Sequence, residues 1–404
     1  MIILPKIRGF ICTTAHPAGC AKSVAEQIQF VKNQGTFAGP RNVLVIGAST
    51  GYGLASRITA TYGSGAKTIG VFYEKGADDK RTATAGWYNT AAYERQAHSD
   101  GYYAKSINGD AFSAAIKEQT AALIKHDLQQ VDLIIYSLAS PRRQHPITGD
   151  VYSSVLKPIG HSFTGKTVDA FRAEVKDVTI APATEEEVAH TIAVMGGEDW
   201  EMWIDMLASQ NLLAPGAKTV AYSYLGPVLT HDIYKYGTIG KAKEHLKSTA
   251  DKLNEKLAAI NGAAMVSVDK AVVTQASAAI PVVPLYIAIL FKLMKEQGTH
   301  EGCIEQMVRL FRDYLYAAKE PARDQEGFIR LDNLEMDPAL QQKVAEIWPT
   351  VTTENVRTVT DIQGYCQEFY RLFGFNIPGI DYNAEVDPAV MIPSLGEHDT
   401  QEKL

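Results

Sequence analysis

Long hydrophobic runs are missing from this 404-residue chain. The longest uncharged apolar stretch, Ala278 to Phe291, has 14 residues and contains Pro281 and Pro284. A membrane-spanning helix needs about 20 such residues. The N-terminus, Met1-Ile-Ile-Leu-Pro-Lys-Ile-Arg8, places charges where an export signal needs its apolar segment. Cysteine is scarce: Cys12, Cys20, Cys303 and Cys366 form no C-x-x-C pair, so no disulfide framework is expected and reduced thiols in a cytoplasmic protein are. Excess positive charge is absent too. A formal charge of −7 excludes nucleic acid as the main partner, because phosphate backbones call for a basic surface. The ten histidines are scattered without H-x-x-x-H or His/Cys clustering, so no metal is expected. No G-x-S-x-G nucleophile elbow, internal repeat or low-complexity tract occurs.

What the chain does have is a regular alternation of strand and helix patterns. Asn42-Val-Leu-Val-Ile-Gly47 is a short apolar run ending in glycine, the pattern of a buried parallel strand. A helix over Leu54 to Tyr62 follows, stopped at Gly63. Further strands are expected at 68–74, 103–107, 131–137, 218–223 and 264–268, with helices at 111–125, 199–209 and 240–258. Such alternation predicts an α/β fold, a Rossmann-type doubly wound parallel sheet. Turn signals at Thr148-Gly149 and Thr164-Gly165 predict a small β insertion over residues 141–180. Beyond about residue 330 the chain becomes more polar and ends in the charged tail 397–403. No linker divides it, so one large domain over 1–404 is expected.

Two features carry chemistry. Gly47-Ala48-Ser49-Thr50-Gly51-Tyr52-Gly53 directly follows the first strand. Its G-x-x-x-G-x-G spacing lets the backbone bring N–H groups and a helix N-terminus against a pyrophosphate, and Ser49 is read as a phosphate contact. Glu74, 21 residues after Gly53, stands where a carboxylate accepts both ribose hydroxyls of adenosine. It would also repel a 2′-phosphate, favouring NADH over NADPH; adjacent Lys75 works against this. The second feature is Tyr234-Lys-Tyr-Gly-Thr-Ile-Gly-Lys-Ala-Lys243. Nine residues at about 100° each put Tyr234 and Lys243 on opposite faces of a continuous helix. They converge only if the helix begins after Tyr234, and Gly237 and Gly240 offer the break. Tyr234 is then expected on a lead-in loop and Lys243 in the first turn. Tyr236, seven residues from Lys243, is a rival partner on the same helical face. A phenol beside an ammonium is a better acid, and with a dinucleotide loop the pair reads as a nicotinamide-dependent reductase.

Several segments resemble one reductase family: Thr13-Thr-Ala-His-Pro17, residues 47–57, Ile107-Asn-Gly-Asp-Ala-Phe112, Tyr136-Ser-Leu-Ala-Ser-Pro141, Val194-Met-Gly-Gly-Glu-Asp-Trp200, Gly237-Thr-Ile-Gly-Lys-Ala-Lys243 and Gly298-Thr-His-Glu-Gly-Cys-Ile-Glu-Gln306. These are similar to the FabV-type enoyl-ACP reductases and the related trans-2-enoyl-CoA reductases, from the N-terminus to about residue 390. The resemblance implies that Tyr234 donates a proton and that Lys243 acts beside it while contacting the cofactor. It implies a second, substrate-side tyrosine at Tyr224. Gly47 to Tyr52 would hold the pyrophosphate, Tyr73 and Glu74 the adenosine ribose, and Asp110 and Ala111 the adenine. Leu138 and Ala139 would lie nearer the middle of the dinucleotide, and Val272, Val273 and Thr274 at the nicotinamide edge. The implied reaction is NADH-dependent reduction of a trans-2-enoyl thioester, on acyl carrier protein or CoA, by a monomer. Hydride would add at C3, and the charge displaced to the thioester oxygen would meet Tyr234, with Tyr224 as a second candidate. Residues 278–330 are expected to supply helices of an acyl pocket, with Tyr286 and Phe291 as either its wall or ordinary core. Arg142-Arg143 is read as a solvated pair or as a contact for an acidic carrier protein or a CoA phosphate. A carbonyl reductase and an NAD-sensing protein without turnover remain the alternatives.

Overall fold

The computed structural model describes residues 1–9, 11–138, 140–319 and 322–396. Its centre is a parallel sheet of seven strands: β1 (Asn42–Ile46), β2 (Lys67–Phe72), β3 (Ala104–Asn108), β4 (Val131–Tyr136), β5 (Leu213–Ser223), β6 (Ala263–Val268) and β7 (Ile329–Arg330). The spatial order is β7-β6-β5-β4-β1-β2-β3. Strand order therefore reverses between β1 and β4, the switch point at which open α/β sheets leave a crevice above their strand ends. Val43 to Ile46 are fully buried, as are Leu133 and Ile135, because helices cover both faces.

Six strands match the expected runs to within a residue or two, except at the start of β5. That strand begins at Leu213, with its register interrupted between Leu213 and Lys218 around Pro215 and Gly216. The helix after β1 spans Gly51–Ser64 and is not stopped by Gly63. A Cβ on Gly63 would stand 2.3 Å from the Phe37 ring, and the left-handed Gly65 ends the helix instead. Ser113 caps the helix Ala114–Asp127 by accepting from the Ile116 N–H, so it starts three residues later than expected.

The expected insertion contains two antiparallel hairpins, Arg142–Gln144 with Val151–Ser153 and Phe163–Asp169 with Glu174–Ile180. Arg143 is buried in it, donating to Glu198 Oε2 at 2.6 Å and to the Ala193 carbonyl at 2.6 Å. The solvated reading of that arginine is therefore wrong. After β6 the chain forms the short helix Gln275–Ala278 and the long helix Val283–Gln297, against which Pro338–Ile347 and Ile362–Arg371 pack. Tyr286 and Phe291 are both fully buried. Among the described residues, no helix is long and apolar enough to cross a membrane.

Candidate active site

Glycine sets the first part of the site by close approach. A Cβ on Gly53 would stand 1.9 Å from the Gly47 carbonyl oxygen, and one on Gly47 would stand 2.1 Å from that of Ser137. No larger residue allows the loop, its helix and the end of β4 to meet this closely. The N–H groups of Gly47 and Ala48 are taken by the Val71 carbonyl. Those two amides are therefore not offered to an anion, whereas the first turn of the helix, where Thr50 gives no side-chain cap, is open to one.

Around this loop the strand ends gather the other expected cofactor residues. Glu74 is half-buried, and its Oε1 accepts the Ser49 hydroxyl at 2.7 Å. Ser49 thus spends its proton on Glu74 rather than holding it for a phosphate. Burial raises the Glu74 pKa, with hydrogen bonds from Thr84 and Ser49 opposing. Asn108 at the end of β3 bonds both the N–H and the carbonyl of Glu74, at 2.8 and 3.0 Å. Tyr73 is exposed. Asp110 and Ala111 form the next turn, pinned by Lys117, whose Nζ donates to the Ala111 carbonyl at 2.9 Å and to Asp199 at 2.7 Å. Leu138 lies beside Gly47; Ala139 falls outside the described residues. The Tyr52 phenol points away from the loop to the Lys270 carbonyl at 2.6 Å, leaving only its main chain for a ligand. Val273 is buried in the same apolar cluster as Tyr234, and Thr274 caps the short helix that follows.

Tyr234 and Lys243 do converge, by a route slightly different from the expected one. Tyr234 ends a one-turn helix, His231–Tyr234, rather than lying on a loop. The next helix, Thr238–Leu257, carries Lys243 in its second turn rather than its first. Gly240 lets the two helices abut: a Cβ there would lie 2.1 Å from the Lys235 carbonyl oxygen. Gly237 is equally crowded, by the carbonyls of Ile233 and Lys157. Thr238 ties the junction to the insertion through its N–H to the Lys157 carbonyl at 3.0 Å. The rival Tyr236 is 57% exposed and faces His231, which removes it from the site.

The Lys243 amine lies 4.7 Å from the Tyr234 ring centroid and 5.6 Å from that of Tyr224. Lys243 as a residue is partly exposed, but Nζ itself is buried and has no hydrogen-bond partner among the described residues. The exposure therefore falls on the stem while the tip turns inward. Burial lowers its pKa to about 7. Tyr234 is 4% exposed; burial raises its pKa, and the charge of Glu335 adds to this. The Tyr224 and Tyr234 rings meet edge to face at 5.0 Å. Tyr224 donates its phenolic proton to Glu335 Oε1 at 2.9 Å. Glu335 and Lys270 behind it carry no sequence signal, and Leu331-Asp-Asn-Leu-Glu335 has no local pattern to mark it; Tyr286, read from sequence as pocket wall or core, belongs to this group instead.

The residues fit a nicotinamide dinucleotide: a tight glycine turn, an uncapped helix N-terminus, a carboxylate at the end of β2 and a buried amine with no partner among the described residues. Comparison with known proteins agrees. Residues 81–316 match the model for the trans-2-enoyl-CoA reductase catalytic region, and residues 2–79 match its NAD(P)H-binding domain. A Flavobacterium johnsoniae enoyl-[acyl-carrier-protein] reductase [NADH] is 58% identical, covering 98% of this chain and all of its own. A Ruminiclostridium cellulolyticum trans-2-enoyl-CoA reductase [NADH] is 56% identical with the same coverage. The crystal structure of Clostridium acetobutulicum trans-2-enoyl-CoA reductase with NADH superposes at a TM-score of 0.95, with 42% identity over 98% of this chain and 100% of that one. Residues 323–386 match a model described as an enoyl reductase FAD-binding domain. They do not fit a flavin: Leu340, Val344, Tyr365 and Phe369 are 0–1% exposed and share one packed core with the helix Val283–Gln297. Fold, site and comparisons together place this chain in the trans-2-enoyl-CoA reductase family, which includes the NADH-dependent enoyl-ACP reductases.

Proposed function

We propose that this protein reduces the trans-2 double bond of enoyl thioesters with NADH, giving saturated acyl thioesters as in the last reductive step of fatty-acid elongation. The observation that carries this reading is the buried Lys243 amine, without a partner among the described residues, against the Tyr234 ring and beside the strand ends that build a dinucleotide crevice. NADH, when bound, supplies the hydride that adds at C3 of the conjugated thioester. Tyr234 places its O–H where negative charge gathers on the thioester oxygen. Lys243, in its protonated form, stabilises phenolate character and so makes Tyr234 a stronger donor. The surrounding apolar cluster keeps water away and strengthens both effects. Glu74 is the group for the adenosine ribose, and its charge favours NADH over NADPH.

We further propose that it acts as a monomer. We also read it as cytoplasmic, consistent with four unpaired cysteines. The acyl chain is proposed to lie along residues 278–282, at the start of the expected pocket segment, where Ile280 and Val282 share a cluster with Tyr234. The function is tested by incubating the protein with NADH and crotonyl-CoA, following NADH loss and identifying the product by mass spectrometry. Stoichiometric butyryl-CoA supports the proposal; NADH binding without oxidation, or reduction of a ketone instead, would replace it. Matched enoyl-CoA and enoyl-carrier-protein substrates then separate the two carriers by their rates.

A further inference from the structure

Glu335 is a fully buried carboxylate in the segment after β7, outside the dinucleotide-binding strands. Three hydrogen atoms point at it. Oε1 accepts from the Tyr224 phenol at 2.9 Å and from the Tyr286 phenol at 2.7 Å, and Oε2 accepts from the Ala271 N–H at 2.7 Å. Gln341 Nε2 donates to the Tyr286 oxygen at 3.0 Å, so Tyr286 is left to give its own proton to Glu335. Three donors on two oxygens are the partners of an ionised carboxylate, since a carboxylic acid would bring a fourth hydrogen. Burial raises the pKa of Glu335, while nearby Lys270 and these donors oppose it. The groups facing it are Tyr224 from the end of β5, Tyr286 from the long helix, Lys270 after β6, and Tyr234 at longer range.

A phenol has a single proton. Because Tyr224 gives its proton to Glu335, the Tyr224 oxygen can only accept on its remaining side. The same bond holds the Tyr224 ring at 88° to that of Tyr234, forming one wall around Lys243. We propose that Glu335 is a positioning residue that acts through Tyr224, holding that phenol as an acceptor and leaving Tyr234 as the donor to the substrate oxygen. This rests on the enoyl-reductase reading above. It also revises the expectation that Tyr224 shares the donor role. In an E335Q variant, turning the side-chain oxygen toward Ala271 puts an amide N–H on Tyr224 and reverses the phenol's polarity. The opposite rotamer sets two N–H groups against each other.

The test is a double-mutant cycle on the full chain, measuring kcat and KM with crotonyl-CoA and NADH for wild type, Y224F, E335Q and the double variant. Wild-type turnover is measured first; if it is absent, the enzymatic reading fails before any variant is considered. With turnover present, E335Q should lower kcat by about 10- to 100-fold and leave the NADH KM within about twofold, and the double variant should fall within about threefold of Y224F. E335D, which keeps a charged acceptor, should recover part of the loss. An E335Q or Y224F enzyme with wild-type kcat, or a double variant whose loss is the product of the two single losses, would overturn the proposal. Should E335Q fail to fold, the cycle is run with E335D in its place, and multiplicative losses there overturn it equally.

Discussion

Replacing Lys243 with methionine separates what this amine costs the fold from what it does in the site. Methionine keeps an unbranched chain of similar length and removes the charge. The ordinary lysine pKa of 10.5 falls to about 7 in the structure because the amine is desolvated. At 1.36 kcal/mol per tenfold change, that fall corresponds to at most about 5 kcal/mol of lost stability. Below pH 7 the amine is charged in both the folded and unfolded states, and the full penalty applies. Between pH 7 and 10.5 the unfolded chain holds the proton and the folded one does not, so wild-type stability climbs as pH rises. For 404 residues, an unfolding entropy of about 2.1 cal/mol/K per residue converts 3–5 kcal/mol into roughly 3–6 °C. Calorimetry of the ligand-free proteins should therefore show K243M melting several degrees above wild type at pH 6.5, the gap shrinking to about a third by pH 9.5. Turnover should fall by about 10²- to 10⁴-fold. A variant that melts lower than wild type at pH 6.5, or a gap that does not change with pH, would refute the assignment of Lys243 as a desolvated, partnerless cation.

Two further outcomes follow from the dinucleotide crevice. E74Q should reduce the preference for NADH over NADPH by about tenfold in kcat/KM, since a neutral amide no longer repels a 2′-phosphate; an unchanged ratio would place the ribose elsewhere. G53A drives a Cβ into the Gly47 carbonyl, so it should cost about 1–3 kcal/mol in denaturant unfolding and weaken NADH binding measured by fluorescence titration.

Much of this architecture was legible in the chain because parallel strands are buried on both faces and read as uninterrupted apolar runs. Val43 to Ile46 and Leu133 to Ile135 are of this kind. Where β5 opens through Pro215 and Gly216 the local signal is that of a loop, and only pairing with β4 makes it strand. The two-residue β7 is too short to carry any period. The glycine loop and the Tyr234–Lys243 pair were legible because glycine spacing fixes backbone approach. Even so, the one-turn helix ending at Tyr234 and the exclusion of Tyr236 depend on carbonyls from Ile233, Lys235 and Lys157 that crowd Gly237 and Gly240. Glu335 could not be read at all. It is 111 residues from Tyr224 and 49 from Tyr286, and its neighbours in sequence look like a solvated turn.

The most direct test of the proposed chemistry is Y234F, which removes one hydroxyl and keeps the ring that packs beside Lys243. With crotonyl-CoA and NADH, kcat should drop by about 10²- to 10⁴-fold, while the dissociation constant for NADH stays within about twofold of wild type. A Y234F protein that oxidises NADH at near the wild-type rate would contradict this assignment, because the proton for the thioester oxygen would then come from another group.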